Sequence, residues 1–267
     1  MLKFLYETFA GRIILKLLSA RWLSILAGKW LDRPSSKFLI KPFLKKGNID
    51  LSEYQKEDYK CFNDCFTRHI KPENRPVDTR KDALIAPCDG LLRAYKIDDD
   101  LVMPVKESIY SIKDLLKKDE CAKCFEGGTA LVFRLCVDHY HRYCFPDNGR
   151  VTDDYFIEGV LHTVQPIALR NRPVFVENCR NIALLETENF GRIAQIEVGA
   201  MLVGKIKNHK ITEFEKGMEK GMFLYGGSTI ILLLEKDKVY IPQSCFKATD
   251  NKAELKVKQG QRIGKAI

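Results

Sequence analysis

The sequence has no uninterrupted apolar stretch long enough to span a bilayer, because Lys16, Arg21 and Lys29 interrupt its most apolar segment, residues 12–31. It has no low-complexity tract, no heptad array and no repeat of fixed period, which excludes fibrous and solenoid architectures. No secretory signal with a small-residue cleavage site is recognisable. We therefore expect a globular protein in a reducing compartment, with its nine cysteines as free thiols.

The sequence also lacks a cysteine pattern of the zinc-binding type. Cys121 and Cys124 form a lone CxxC, without a second pair at zinc spacing. Loop or core thiols are the usual role of such a pair, so we expect no metal site.

The positive charge of the chain is concentrated at its N-terminal end. The net charge is +9, and residues 1–46 hold ten basic residues but only two acidic ones, so the rest of the chain carries only +1. A protein that binds nucleic acid more often spreads basic residues over its folded surface, and we expect no nucleic-acid partner. A basic, apolar segment is typical of an arm that binds anionic lipid.

Residues 12–31 of this arm are predicted to form a helix that lies in the membrane interface. At helical spacing, its apolar stripe consists of Ile14, Leu18, Trp22 and Ile25. The alternative is a helix packed on the domain or on a partner subunit. The sequence thus predicts a membrane-associating arm over residues 1–46 and a second domain over residues 47–267.

From residue 83 onward the pattern changes to short β runs separated by turns. The predicted strands are 83–86, 90–97, 129–136, 150–156, 182–187, 192–206, 228–235 and 252–257. Residues 37–75 are predicted to contain two short helices. These features indicate an α+β fold, with a β-rich core of packed or rolled antiparallel sheets and an N-terminal helical region.

Two glycines precede a serine just before an apolar strand, in the segment Tyr225-Gly226-Gly227-Ser228-Thr229. Glycines let the backbone take strained torsions and let a nucleophile approach the preceding carbonyl closely. Most Gly-Gly-Ser segments are ordinary turns. This one is neither a phosphate-binding loop nor a nucleophile elbow, because the Lys-Ser/Thr ending and the following helix are both missing.

Two polar clusters at strand ends carry groups suited to acid–base chemistry. Residues 137–147 follow a predicted strand and contain His139 and His141, whose imidazoles titrate near neutral pH. Asp89 lies before Gly90 at the end of another predicted strand, and a carboxylate there can orient an imidazole. Each cluster alone is equally compatible with a polar loop or a turn.

Together, these motifs resemble those of the phosphatidylserine decarboxylases. The matching segments, in the family's order, are Ala-Pro-x-Asp-Gly at 86–90, Asp-x-Tyr-His-Arg at 138–142, Val-x-Pro-Ile-Ala at 164–168 and Gly-Gly-Ser-Thr at 226–229. Residues 187–204 fit the family's long segment before its cleavage site. The resemblance covers about residues 48–260.

The resemblance implies a chain that cuts itself between Gly227 and Ser228. Ser228 is then the nucleophile and becomes a pyruvoyl group, which leaves a β chain of residues 1–227 and an α chain of residues 228–267. The pyruvoyl ketone would form a Schiff base with the amine of phosphatidylserine and serve as electron sink for its decarboxylation to phosphatidylethanolamine. No external cofactor is needed.

The resemblance also assigns Asp89 as the relay residue and His141 as the acid/base that donates a proton to the substrate carbon. The second histidine of the family's His-Arg-x-His pattern, usually the base that activates the serine, is replaced here by Cys144. The candidates for that base are His141 doing both jobs, His162 reaching in from the next strand, and Cys144 or a water molecule.

The implied partners are phosphatidylserine, an anionic membrane surface and the two cleavage products in an α/β heterodimer, with further homo-oligomerisation left open. The implied location is peripheral, on the cytoplasmic face of the cell membrane. Two other functions stay open. One is a pyruvoyl decarboxylase of a soluble amino-acid derivative, which the basic arm disfavours. The other is an unprocessed binding domain of the same fold, which the missing second histidine favours.

Overall fold

The computed structural model describes residues 2–105, 108–201, 205–226 and 228–267. Gly227 of the predicted cleavage site and residues 202–204 of the segment before it lie outside the described residues. Within the described ranges, no helix combines the length and the apolar character needed to cross a membrane.

The N-terminal region consists of short helices. Its α-helices are α1 Leu2–Glu7, α2 Phe9–Leu18, α3 Arg21–Leu31, α4 Ile40–Gly47 and α5 Phe62–Phe66, with 3₁₀ turns at Pro34–Leu39, Leu51–Glu53 and Pro72–Asn74. The prediction of one continuous helix over 12–31 is wrong, because the chain breaks between α2 and α3. Ser19 is buried at this break, and its carbonyl accepts the backbone N–H of Leu161 at 3.0 Å.

The helices of this region share a small hydrophobic core. Its buried members are Leu31, Ile40, Tyr59, Phe62, Cys65 and Phe66, and Tyr225 packs against them. The core therefore joins residues of the predicted arm to residues beyond it. The boundary after residue 46 stays a prediction.

The body of the protein is built from short strands. They are β1 Ala83–Ile85, β2 Gly90–Lys96, β3 Val102–Val105, β4 Ser108–Ser111, β5 Thr129–Leu135, β6 Arg142–Cys144, β7 Gly149–Ile157, β8 Arg180–Thr187, β9 Gly191–Val198, β10 Lys205–Asn208, β11 Glu213–Phe214, β12 Glu219–Leu224, β13 Ser228–Leu234, β14 Val239–Tyr240, β15 Leu255–Val257 and β16 Arg262–Ala266. The helices between them are α6 Ile112–Leu116, α7 Asp119–Lys123, α8 Pro166–Asn171, α9 Val174–Glu177 and α10 Gln243–Asp250.

One antiparallel sheet of eight strands forms the centre, in the order β11-β7-β8-β9-β13-β5-β2-β15. β13 lies between β5 and β9, and all seven of its residues are buried. Its run Ile230-Ile231-Leu232-Leu233-Leu234 is apolar on both faces, as expected of a strand covered on both sides. The start of β13 is thus fixed by neighbours on each side.

A second sheet, β10-β12-β6, packs on one face of the central sheet. Gln195 of β9 donates from Nε2 to the carbonyl of Cys144 on β6 at 3.2 Å. Glu197 of β9 forms a buried ion pair with Lys220 of β12, at 2.7 Å between Oε2 and Nζ. Glu197 lies opposite Ile230, and residues two apart on a strand share a face. Ser228 therefore faces the second sheet.

The predicted fold class is confirmed, since antiparallel sheets dominate the body and helices form the N-terminal region. Most predicted strands agree with observed ones to within a few residues. The strand predicted over 192–206 is wrong, because β9 ends at Val198 and β10 belongs to a different sheet. The short strands β6 and β12, which cover the site, were not predicted.

Candidate active site

Ser228 is the first residue of β13, and its side chain is completely buried. The neighbouring strand β5 runs antiparallel and ends at Leu135, directly opposite Ser228. The loop that leaves β5 therefore starts beside Ser228, and this loop leads to His141. Strand pairing explains how two segments far apart in sequence meet at the predicted nucleophile.

His141 lies within hydrogen-bonding reach of Ser228. Its Nδ1 is 3.5 Å from Ser228 Oγ, and its Nε2 is 3.0 Å from the carbonyl oxygen of Cys136. A carbonyl oxygen only accepts hydrogen bonds, so Nε2 carries the proton and Nδ1 keeps its lone pair. This tautomer directs a proton acceptor toward the hydroxyl of Ser228.

The His141 imidazole is held neutral by its surroundings. The side chain is completely buried, and burial lowers the pKa of His141 to about 3, against the opposing effect of the hydrogen bond to Cys136. The nearby positive charge of Arg68 lowers this pKa further. Because a neutral imidazole is the form that accepts a proton, Nδ1 of His141 is available as an acceptor at neutral pH, and the role of His141 as base stays a prediction.

Aromatic rings from α5 and β12 surround His141. The ring centroid of Phe66 is 4.3 Å from that of His141, and the centroid of Phe223 is 6.5 Å away. Both phenylalanines are completely buried. A site enclosed in this way strengthens polar interactions, since little water competes for them.

The backbone just before Ser228 adopts conformations that L residues rarely take. Tyr225 has φ 24° and Gly226 has φ 115°. Glycine accommodates such torsions freely, whereas a non-glycine residue there costs about 1–3 kcal/mol. The Tyr225 ring makes edge contacts with Phe62 and Phe66, at centroid distances of 5.0 and 5.4 Å. These contacts pack Tyr225 against the small core of the N-terminal region.

Asp89 is held by groups other than His141. Its carboxylate accepts two hydrogen bonds from Arg75, at 2.7 Å from Nε and 2.5 Å from Nη2, and one from the backbone N–H of Gln259 at 2.9 Å. Across the described residues, no hydrogen bond joins Asp89 to His141. The imidazole of His141 is oriented instead by the backbone carbonyl of Cys136. The relay role of Asp89 stays a prediction.

Cys144 occupies β6 and is fully enclosed. Burial raises the pKa of its thiol to about 12, and its Sγ lies 4.0 Å from the carbonyl oxygen of Ala86. A thiol that stays protonated at neutral pH cannot take a proton from a serine. The electrostatics therefore disfavour Cys144 as the base.

Both ring nitrogens of His162 contact groups other than Ser228. Its Nδ1 lies 3.3 Å from the hydroxyl of Tyr6 in α1, and its Nε2 lies 3.3 Å from Glu177 Oε2 in α9. Burial lowers the pKa of His162. No hydrogen bond to Ser228 occurs within the part of the chain that the structure describes, so its role as an alternative base stays a prediction.

The loop that precedes His141 contains three side chains of metal-ligand type. Potential ligand atoms of Cys136, Asp138 and His139 all lie within 4.8 Å of one another. His139 Nδ1 accepts the backbone N–H of Cys136 at 3.2 Å, so the proton of this imidazole is on Nε2. In this arrangement neither ring nitrogen offers a free lone pair to a cation.

Sequence reasoning missed Phe66 and Arg75, which hold His141 and Asp89 respectively. Both lie in a segment that carried no recognised motif, and each meets its partner across a long stretch of chain. The only available signal was the aromatic spacing of Phe62 and Phe66. That spacing is equally typical of ordinary core packing.

Comparison with known proteins extends over nearly all of the chain. The family model for phosphatidylserine decarboxylase matches residues 62–265. Phosphatidylserine decarboxylase proenzyme 2 of Clostridium acetobutylicum is 45% identical over 264 residues, covering 98% of this chain and 91% of that protein. The phosphatidylserine decarboxylase proenzymes of Ruminiclostridium cellulolyticum and Clostridium botulinum (strain Alaska E43) are 39% and 38% identical over 100% of this chain, covering 91% and 92% of those proteins.

Matches of this extent define an enzyme of the carboxy-lyase class. More narrowly, the chain belongs to the phosphatidylserine decarboxylase family. The resemblance predicted from the motifs is therefore confirmed. The relatives are named as proenzymes, which is consistent with synthesis of this chain as a zymogen.

Proposed function

We propose that this chain cleaves itself between Gly227 and Ser228 and then decarboxylates phosphatidylserine to phosphatidylethanolamine at a membrane surface. The observation that carries the proposal is the contact between Ser228 Oγ and the neutral His141 Nδ1 at 3.5 Å. Membership of the decarboxylase family supports the reaction and its substrate.

In the first step, His141 Nδ1 takes the proton of Ser228 Oγ while Oγ bonds to the carbonyl carbon of Gly227. The peptide C–N bond then breaks, the nitrogen of residue 228 gains a proton, and an ester replaces the amide. Loss of the Ser228 α-proton expels the Gly227 carboxylate. Water releases the nitrogen as ammonia and leaves a ketone at position 228.

The residues around position 228 fit a pyruvoyl group formed there. Such a group supplies the electron sink for loss of carbon dioxide from an amine-bearing substrate. Residues Thr229–Leu234 pair with both β5 and β9, so the new end of the short chain stays anchored after the cut. His141 Nδ1 faces the same position and, once it has gained a proton, would donate it to the substrate carbon after carbon dioxide has left.

Exposed apolar side chains on α2 and α3 support a lipid substrate over a soluble one. Their exposed fractions are 76% for Phe9, 60% for Ile13, 57% for Leu17, 54% for Trp22 and 53% for Leu26. Basic residues flank them in the same helices. A large exposed apolar surface with basic neighbours is suited to the boundary of an anionic bilayer.

Intact mass and a denaturing gel test the cleavage. We expect two fragments, residues 1–227 and 228–267, and a shorter chain that reacts with hydrazine-type reagents at its new end. Ser228→Ala should give a single full-length chain. A wild-type preparation that stays uncut and has no reactive ketone would rule out the proposed chemistry.

Two further variants identify the base. His141→Ala should abolish cleavage, because it removes the acceptor for the Ser228 proton. His162→Ala should still cleave. The opposite result would assign the base to His162, and cleavage of both variants would mean that neither histidine is the only base.

The substrate is tested separately with cleaved enzyme. We expect the protein to float with vesicles containing phosphatidylserine and to release carbon dioxide from this lipid. A protein that stays in the buffer and acts on free serine derivatives would instead be a decarboxylase of soluble substrates.

A further inference from the structure

A largely apolar cavity of about 650 Å³ lies beside the reaction centre formed by Ser228 and His141, but neither of these residues lines it. Its walls come mainly from α3 and α4, and Val137 and Tyr225 complete them. The Tyr225 ring contacts Phe66, and the Phe66 ring lies 4.3 Å from that of His141. The rings of Tyr225 and Phe66 thus form a wall between the cavity and the reaction centre.

The cavity also reaches the exposed apolar surface of α3. Trp30 lines the cavity, yet 41% of its surface is exposed, and its ring contacts that of Phe38, which is 67% exposed. Exposed apolar side chains of α3 belong to the surface that we propose to contact lipid. The cavity therefore lies between the proposed lipid-binding surface and the Tyr225 ring.

Tyr225 is the weakly held part of this wall. Its φ of 24° is strained for a residue with a side chain, and Gly226 follows with φ 115°. β12 ends at Leu224, and within the described ranges neither Tyr225 nor Gly226 forms a backbone hydrogen bond. Tyr225 is held by its ring contacts with Phe62 and Phe66 and by its covalent links to the strands on either side.

The two chain ends that the proposed cut creates differ in how firmly they are held. On the side of Ser228, residues Thr229–Leu234 pair with both β5 and β9. On the other side, residues 225–227 become the free end of the long chain, and Leu224 is the last residue of β12 that pairs with a neighbouring strand. The short chain therefore keeps its place, whereas the end of the long chain loses one of its two covalent anchors.

Three effects favour departure of residues 225–227 from the wall after the cut. The strain at Tyr225 is relieved, and the three residues regain conformational freedom. The new chain end also carries a carboxylate, which is unfavourable in an enclosed site surrounded by aromatic rings. Only the packing of one partly exposed tyrosine ring opposes the departure.

We propose that self-cleavage opens the wall between the cavity and the reaction centre, because it releases Tyr225 with the end of the long chain. The proposal rests on the proposed function and adds a step to it. In the uncut chain, the Tyr225 ring keeps the reaction centre closed while Ser228 attacks. The same cut that leads to the ketone at position 228 then admits the phospholipid, whose apolar part occupies the cavity while its headgroup reaches the ketone.

Fluorine NMR of the full chain, labelled with 3-fluorotyrosine, tests the release. The Tyr225 signal is the one that is absent from the spectrum of Tyr225→Phe. In the uncut Ser228→Ala chain, this signal should have the shift and the width of an enclosed ring. In the cut wild-type chain, it should become narrow and move to the shift of fluorotyrosine in an unfolded chain. Tyr110, completely buried, and Tyr240, half exposed, are the controls, and their signals should not move.

The ketone provides a second measurement, which needs no lipid. Cut wild-type chain and cut Tyr225→Ala are compared in their reaction with a hydrazine that carries a long alkyl chain, and hydroxylamine calibrates the amount of ketone. If the ring has left the wall, the two rates should agree within about twofold. A rate at least about tenfold higher in Tyr225→Ala would mean that the ring still closes the wall, which contradicts the proposal.

The outcomes separate this proposal from the proposed function. If the chain cuts itself but the Tyr225 signal stays at the position of an enclosed ring, the release is wrong and the self-cleavage stands. If the signal already has the unfolded-chain position in uncut Ser228→Ala, the wall is open before the cut and the release is equally wrong. If the wild-type chain never cuts itself, both proposals are wrong, because no ketone forms and Tyr225 keeps both covalent anchors.

Discussion

The N-terminal helices and the β-rich body use apolar residues in opposite ways. All seven residues of β13 are buried, whereas α2 and α3 leave Phe9, Ile13, Leu17, Trp22 and Leu26 more than half exposed. Exposed apolar surface of this extent is unfavourable in water and needs an explanation by function. The body is stabilised by its own core, and the N-terminal helices are suited to an apolar surface outside the chain.

Some charged residues are buried in the body, which is the reverse of what a simple division into apolar core and polar surface predicts, whereas those of α2 and α3 lie at the surface. The body buries the pair Glu197–Lys220 between the central sheet and the sheet β10-β12-β6. Arg180 is also buried, with its guanidinium donating to four backbone carbonyl groups. The basic residues of α2 and α3, by contrast, lie at the surface or in exposed ion pairs. Substitutions of similar chemistry should therefore have very different effects in the two regions.

The largest effect is expected for Lys220→Met. It leaves the Glu197 carboxylate buried without its cation, which should lower the free energy of unfolding by about 3–5 kcal/mol. Lys29→Met, on an exposed position of α3, should change it by less than about 0.5 kcal/mol. Urea denaturation measures both, in the uncut Ser228→Ala background.

The double variant Lys220→Met, Glu197→Gln checks the cause. It removes both charges, so it should regain much of the lost stability. If the double variant is as unstable as Lys220→Met alone, loss of packing by the lysine stem, and not an unpaired charge, explains the effect.

The next largest effect concerns the membrane surface. Replacing Trp22 and Leu26 by serine should weaken binding to anionic vesicles by a factor of at least about 100, because each large apolar side chain contributes roughly 1.5–3 kcal/mol when it leaves water. The free energy of unfolding should hardly change, since neither side chain is part of the core. Vesicle flotation and urea denaturation of the same preparation provide the two readouts.

A contrary result would be a large loss of stability with unchanged vesicle binding. That result would mean that α2 and α3 pack against another protein surface, or against the body, more strongly than their exposure indicates. The same substitutions at Ile109 and Tyr240, which are exposed in the body at 71% and 50%, serve as a control.

The sequence predicted the body better than it predicted the site, for physical reasons. β13 and β5 are apolar runs whose burial on both faces is evident from composition alone. The two-residue break at Ser19 has no local signal, because it depends on a hydrogen bond from Leu161. Local patterns therefore located elements well and failed where a distant backbone group decided the outcome.

The active site also combines features that local sequence predicts with features that distant groups determine. Ser228 and His141 were predicted from motifs, and strand pairing brings them to 3.5 Å. The tautomer of His141 could not be predicted, since the group that sets it is the backbone carbonyl of Cys136. The pairing of Asp89 with Arg75 could not be predicted either, because no rule of sequence spacing links these two positions.

Lowering the pH should have a smaller effect on the free energy of unfolding. The pKa of His141 is about 3 in the folded chain, against an ordinary value of 6.5, so the unfolded chain binds more protons between these pH values. This contribution to stability is complete above pH 6.5 and is lost as the pH falls toward 3. Between pH 6.5 and 5.5, the Ser228→Ala chain should lose about 1 kcal/mol more than the Ser228→Ala, His141→Asn chain.

Both chains are uncut, so cleavage does not enter this comparison. Burial also lowers the pKa of His69, His139 and His162, but these residues are common to both chains and their contributions cancel. Parallel stability curves for the two chains would show that His141 already titrates normally and is not enclosed.

The smallest effect is expected at the contact between the two regions. Arg21 of α3 forms an ion pair with Glu158 of the body and lies over the Phe156 ring at 4.9 Å. Side-chain exposures of 36% and 70% mean that water screens this pair, so Arg21→Gln should change the free energy of unfolding by less than about 1 kcal/mol. The change should shrink further in 1 M salt, where screening acts over about 3 Å. A loss above about 2 kcal/mol that persists in salt would instead make α3 part of the body's core, and the contrast between the two regions would no longer hold.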